Sequence, residues 1–335
     1  MKNILATLIA LSLAAPAFTT SAAEPKRIVV CTVTTGFRHS SIPVAEETLQ
    51  KLANESKAFT IVEFVRQPAI QVPQKPKKPR DLPPTADDKA KERYANDLKK
   101  YEAALAQWTP EIEKTAKDAQ AKLATGITDA LAALDPKRLE AGKIDGVIFA
   151  NTTGDLPLPD KDGFVNWVKA GHAFIGMHSA SDTFHQFDGY KQMIQAEFAT
   201  HGKQVPADLV AGDPAHPANA GIGEKWNILQ EEVYEFKDGS HDREKVRAMW
   251  FLRHHPQDPA VARYSAVSWV RQDGKGRVFY TSLGHREDLW SDDPQLSGRV
   301  NTPEISKQYQ AHILGGIKWA LGIVDGSAEP NPAVK

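Results

Sequence analysis

Three histidines in this chain sit where strand-like runs give way to loops, the place from which an imidazole can be aimed into a cleft. His178 lies in Gly176-Met177-His178-Ser179-Ala180-Ser181-Asp182, directly after the apolar run Ala173-Phe174-Ile175. A buried strand that breaks into Gly-x-His-Ser-Ala has the pattern of a tight strand-to-helix elbow. Imidazole ligates metals or moves protons, but it rarely serves as a covalent hydrolytic nucleophile. His285 follows the run 278–282 through Leu283-Gly284, and His39 follows Gly36-Phe37-Arg38. Glu231 and Glu232 precede Tyr234, and a carboxylate of that pair facing inward would serve as ligand or base. Three histidines and one carboxylate suit Zn²⁺ or a similar transition metal. Their spacing is far too wide for a local motif such as H-E-x-x-H, so the metal expectation depends on the fold bringing them together.

The elements that must do this are legible in outline. Residues 27–33, 59–65, 145–150 and 172–177 are short apolar runs of the buried parallel-strand type, and helical patterns separate several of them. Ile42, Ala45, Leu49 and Leu52 fall at helical spacing, as do Ile313, Leu314, Ile317 and Leu321 in a closing helix near 303–321. Strands alternating with helices predict a doubly wound, mostly parallel sheet flanked by helices. Between 186 and the closing helix the pattern turns β-rich, with candidate strands at 207–211, 232–236, 245–252, 264–271 and 277–282. Asp273-Gly274-Lys275-Gly276 marks a hairpin between the last two. In an open α/β sheet, ligands bind beyond the carboxyl ends of the strands. The loops 36–41, 151–155, 178–182 and 284–285 are therefore expected to share one rim. Arg38, Asn151 and Thr152 in those loops are expected to bind substrate, and Asp182 to orient an imidazole.

Residues 67–133 interrupt this order. The segment 67–84 is rich in proline and lysine and has no regular pattern. From 85 to 133 the chain is rich in Ala, Lys, Glu and Asp, and Tyr94, Leu98, Tyr101, Leu105 and Trp108 recur every three or four residues. That stretch predicts a helical insertion, offering a surface for a protein partner or a second copy. The organisation is a signal peptide at 1–23, one α/β domain at 24–322 carrying the insertion, and a tail at 323–335.

Bulk properties narrow the function. Lys2, the apolar residues 4–15 and Ser21-Ala22-Ala23 form the charged start, short apolar core and small-residue cleavage site of a secretion signal. The mature protein is thus expected in the periplasm or outside the cell, without a membrane-spanning segment. The single cysteine, Cys31, excludes an internal disulfide, and a net charge of −1 gives no reason to expect nucleic acid as a partner. Of the tryptophans, Trp290 stands in the polar segment 286–293 just past His285, the position expected to stack on a ligand.

Taken in order, Thr35-Gly36-Phe37-Arg38-His39, Asn151-Thr152-Thr153-Gly154-Asp155, Gly176-Met177-His178-Ser179-Ala180-Ser181-Asp182, Gly274-Lys275-Gly276-Arg277-Val278 and Ser282-Leu283-Gly284-His285 resemble the ThuA-like (trehalose utilisation) domain. The resemblance covers about 27–322, apart from the insertion. It implies a flavodoxin-like sheet related to that of class I glutamine amidotransferases. In those relatives a cysteine occupies the elbow, where this chain has His178, and a histidine from a later strand completes the site, near where His285 stands. Without an elbow thiolate, amidotransferase chemistry is excluded. The family instead implies carbohydrate, in pathways where a sugar ring is first oxidised to its 3-keto form. A 3-keto group acidifies the neighbouring C–H, so a base can remove that proton and the glycosidic oxygen can leave. His178, His285 and Glu232 are the expected ligands or bases. The alternative is a non-catalytic sugar- or partner-binding module on the same fold.

Overall fold

The computed structural model describes residues 24–254 and 265–332. The predicted signal segment 1–23 and the histidine-proline pair at 255–256 lie outside the described residues. Among the described residues, eleven strands and eight α-helices form: β1 (Lys26–Cys31), α1 (Ile42–Ser56), β2 (Phe59–Val65), α2 (Asp88–Ala106), α3 (Pro110–Leu131), α4 (Pro136–Ala141), β3 (Gly146–Ala150), α5 (Lys161–Lys169), β4 (Ala173–Met177), α6 (Asp188–Ile194), β5 (Phe198–His201), β6 (Val205–Ala211), β7 (Lys225–Glu231), β8 (Tyr234–Phe236), β9 (Arg247–Leu252), β10 (Ala266–Asp273), β11 (Gly276–Thr281), α7 (Glu287–Trp290) and α8 (Pro303–Ala320).

Nine strands make one sheet in the order β2-β1-β3-β4-β11-β10-β9-β6-β7, and β5 pairs separately with β8. From β2 to β11 every neighbour runs parallel. From β11 onward the neighbours alternate in direction. The sheet is therefore parallel at one side and antiparallel at the other, and the predicted β-rich half is the antiparallel side. Strands β5 and β7 were not anticipated from the sequence.

The central parallel strands read as continuous apolar runs because both faces are covered. Ile28 and Val30 of β1 point into a core shared with α1 and α8, while Val29 and Cys31 point into the core on the opposite face. α1 starts with Pro43 in its first turn and ends at Lys57 in the left-handed region, φ 54°. Its buried Ala45, Leu49 and Leu52 are the predicted face. α8 buries Ile313 and Ile317 as expected, but Leu314 is only partly buried. Tyr309, His312 and Gly316 complete its inner face. Gly316 lies so close to Phe279 that a Cβ would approach the ring to 2.5 Å, so α8 sits directly on β11.

The insertion is helical, as the pattern implied. α2 is capped by Asp87 and α3 by Thr109, each accepting from a backbone N–H in the first turn. No residue of α2 is fully buried. Only the last turns of α3 join the domain, where Ile127 and Leu131 enter the core beside Leu134 and Val147. The segment beyond 322 is fastened as well: the Asn331 side chain accepts from the Ala248 N–H and donates to the carbonyl oxygens of Gly212 and Ala248.

This division gives a measurable contrast. Leu131→Ala removes a fully buried side chain and is expected to cost about 2–5 kcal/mol. Leu98→Ser in α2 is expected to cost less than about 1 kcal/mol. Urea unfolding of the two variants checks it; equal losses would mean that α2 is part of the cooperative unit.

Candidate metal centre

His178 follows β4 at φ 48°, a left-handed conformation uncommon for a residue with a side chain. The chain there makes a 3-10 turn over His178–Asp182 rather than an immediate α-helix, and α6 starts later, at Asp188. The turn presents the imidazole, which is completely buried. Its Nδ1 is 2.8 Å from the carbonyl oxygen of Ser282, just past β11, so Nδ1 carries the proton and Nε2 keeps a lone pair. Tyr280 on β11 donates to the His178 carbonyl oxygen at 2.8 Å and accepts from the Ser181 hydroxyl at 2.8 Å, gripping the same turn from its other side.

Around His178 Nε2 the predicted residues converge. His39 Nε2 lies 3.1 Å away, Glu232 Oε2 3.8 Å away, and the Tyr234 hydroxyl 2.8 Å away. His285 Nδ1 is 3.0 Å from Glu232 Oε2 but out of hydrogen-bond alignment with it, and this buried nitrogen has no hydrogen-bond partner among the described residues. One ligand atom from each of His39, His178, Glu232 and His285 lies within 4.8 Å of the others. A tetrahedral Zn²⁺ with ligands about 2.0–2.1 Å away separates them by about 3.3 Å, so this donor set fits such an ion. The hydrogen bond from His178 to a backbone carbonyl is the outer partner that orients a metal-binding imidazole. His39 Nδ1 faces Ser179 Oγ at 3.3 Å in a similar way.

Electrostatics agree with that fit. Burial first, and nearby His285 second, lower the His39 imidazolium to about 4. Burial likewise drives His178 well below the usual range, with His39 and His285 adding to it. Both rings are thus neutral and direct lone pairs at a common centre, an arrangement that a cation relieves. At His285 burial opposes the charge, yet the Glu232 carboxylate beside it and Glu231 nearby carry it above the usual range. Tyr234 is held as the phenol by burial.

The remaining predicted residues have other partners. Asp182 orients an imidazole, but it is that of His185, at 2.7 Å. Asn151, fully buried at φ 55°, donates from Nδ2 to Ser41 Oγ and to the Gly284 carbonyl oxygen, lacing three of the four loops together. Thr152 bonds to Thr183 at 2.9 Å. Arg38 directs Nη1 to the carbonyl oxygen of Thr32. Trp290 is fully buried, its indole N–H donating to the Gly284 carbonyl oxygen at 2.8 Å and its ring edge-on to Tyr309. The polar neighbours of Trp290 suggested a ligand contact; its place in the short helix α7, against α8, makes it core instead. Tyr234 and His201, whose Nδ1 is 3.3 Å from Glu232 Oε1, were not singled out beforehand. Glu231, pushed up to about 7 by burial, accepts from the backbone N–H groups of Gly284 and His285 and so shapes the loop that carries His285.

An α/β sheet with a buried polyhistidine–carboxylate centre at its strand ends defines the class. The chain belongs to the ThuA family, described as trehalose utilisation, whose sequence model matches residues 103–320. That stretch holds His178, Glu232 and His285; His39 precedes it and is brought in by β1. Among solved structures, the fold is similar to a ThuA-like protein from Parabacteroides merdae ATCC 43184, with TM-score 0.56 and 14% identity over 92% of this chain and 96% of that one. It is also similar to one from Bacteroides uniformis ATCC 8492, with TM-score 0.53 and 14% identity over 96% and 100%. No curated protein matches the chain in sequence. No helix among the described residues is long and apolar enough to cross a membrane.

One histidine provides a control for how burial acts here. His312 is fully buried, donates from Nδ1 to the Ala218 carbonyl oxygen and accepts at Nε2 from Ser268. Burial lowers it to about 4, against 6.5 for the free side chain. The unfolded chain therefore binds the proton first as pH falls. Stability is full above about pH 6.5 and is lost progressively down to about pH 4, with a slope of up to about 1.4 kcal/mol per pH unit from this residue. Urea unfolding in EDTA between these limits is expected to show a shallower slope for His312→Gln, by about that amount. An unchanged slope would contradict the assignment.

Proposed function

We propose that this protein is an exported, metal-dependent, carbohydrate-active member of the family that cleaves 3-keto-glycosides by elimination. The observation that carries the proposal is the convergence of His39, His178, His285 and Glu232 at the carboxyl ends of β1, β4 and β11. Export is supported by the signal-like pattern of residues 1–23. Carbohydrate is supported by the family's description.

In this scheme the three imidazoles would hold a divalent ion such as Zn²⁺. When bound, the ion supplies a Lewis acid at the oxygen that becomes negative as the C–H proton leaves. Glu232, whose Oε2 faces the same centre, takes the proton from the carbon between the ketone and the anomeric carbon. The electron pair left behind forms the ring double bond, and the bond from the anomeric carbon to the glycosidic oxygen breaks. Tyr234, kept as a phenol by burial, is placed to give its proton to the departing oxygen. Burial of His39, His178, Glu232 and Tyr234 limits competing water.

The test is direct. Protein stripped with chelator and reloaded with zinc is expected to retain about one ion per chain after dialysis, and to release the aglycone from 3-ketotrehalose or a 3-keto-glucoside. His178→Ala should lose the ion and lower the rate by about 100-fold or more. No release above blank by the zinc-loaded protein, or wild-type behaviour of His178→Ala, would refute the proposal. Sugar binding without turnover would instead identify a binding module.

A further inference from the structure

We propose that Phe37 is the platform on which the sugar ring of the substrate lies, which makes the substrate class a neutral pyranoside with an apolar C–H face. The inference rests on the carbohydrate function proposed above and adds the residue that selects the ring. Phe37 is 66% exposed and is the one aromatic among the exposed large hydrophobic residues described. An isolated apolar residue at a surface needs no explanation by itself. Two observations separate Phe37 from that case.

First, its ring stands 4.9 Å from that of His39 at an interplanar angle of 82°, so it borders the metal centre without stacking on it. At least one phenyl face is therefore left to solvent directly beside a metal-binding imidazole. Second, the backbone beneath it is held firmly although the side chain is not packed away. Thr153 donates from its hydroxyl to the Phe37 carbonyl oxygen at 2.7 Å, and the Thr35 N–H donates to the Thr153 carbonyl oxygen at 2.9 Å. Gly36 is pressed against Thr153, where a Cβ would meet Oγ1 at 3.1 Å. A loop braced so closely fixes the backbone from which the ring projects before any ligand arrives, which lowers the entropy lost on binding.

The chemistry matches a sugar. The face of an aromatic ring carries the negative part of its quadrupole and attracts the weakly positive hydrogens of polarised C–H bonds. A glucose-configured pyranose displays axial C–H groups on each face and keeps its hydroxyls at the rim. Stacked on Phe37 by one face, its ring would lie beside His39 and leave the axial C–H of its other face open to Glu232.

Kinetics with p-nitrophenyl 3-keto-β-D-glucoside on zinc-loaded protein test this. Phe37→Ala is expected to raise KM about tenfold with kcat within about threefold and the zinc content unchanged, and Phe37→Trp to restore KM. A KM for Phe37→Ala equal to that of wild type would overturn the platform while leaving the elimination chemistry standing. Saturation-transfer NMR with methyl β-D-glucopyranoside separates the opposite case. If wild type turns nothing over but transfers saturation to the ring C–H protons, and Phe37→Ala does not, the platform stands and the elimination proposal falls. No Phe37-dependent transfer in a protein without turnover overturns both.

Discussion

The centre depends on the register between β4 and β11. Met177 stands opposite Thr281, so the residue after each strand meets the other, and the His178 imidazole reaches the Ser282 carbonyl oxygen at 2.8 Å. The φ of 48° at His178 is a conformation that costs of the order of 1–3 kcal/mol unless its surroundings enforce it. The bonds from Tyr280 and to Ser282 do so from both sides of the turn. A slip of one residue between the two strands would turn Tyr280 to the other face and free the turn. The same strand, two residues after Ser282, places the Gly284 carbonyl oxygen that Asn151 and Trp290 hold. The geometry of the histidine cluster is thus inherited from sheet pairing.

Burial then decides what those ligands are. In water an imidazole near neutral pH is a mixture of two forms. Here His39 and His178 are kept neutral because no solvent is available to hydrate their charge. Neutral rings with lone pairs directed at one point repel, and Glu232, with only 6% of its surface exposed, places a carboxylate against them. A cation at their centre would satisfy all these groups at once, whereas an apolar ligand would offer none of them a partner. Glu231 behaves differently only one residue away. Complete burial pushes its carboxyl to about 7, and its Oε1 accepts backbone N–H groups instead of facing the cluster.

How much of this was legible in the sequence follows from what local pattern encodes. A continuous apolar run names a buried strand, and a parallel sheet aligns strand ends, so the rim that holds His39, His178 and His285 could be read from runs and loops alone. Glu232 was recognisable by type. That β8 carries Tyr234 to His178 was not, because β8 was expected as a strand but its partner β5, with which it pairs apart from the main sheet, was not. Trp290 was misplaced because exposure is a property of the packed neighbours: it lies among polar residues in sequence yet is fully buried. The bracing by Asn151 was equally hidden, since an amide in a loop reads the same whether it faces a ligand or two neighbouring loops.

The elbow also shows how one backbone device can serve two chemistries. In an amidotransferase-like fold the turn would expose a thiolate, and a thiolate needs a positive neighbour or a base to exist near neutral pH. This chain has a single cysteine, Cys31, placed in mid-sheet with its thiol pushed up to about 12 by burial, so no nucleophilic sulfur is available. With histidine at the elbow, the requirement is reversed. The turn must hold a neutral ring with one nitrogen protonated and the other bare, and it needs an acceptor behind it instead of a base in front. The Ser282 carbonyl oxygen is that acceptor. It comes from the exit of β11, the strand whose loop goes on to carry His285. With imidazole at this position, the strained turn and its strand pairing present one corner of a histidine–carboxylate group in place of a nucleophilic sulfur.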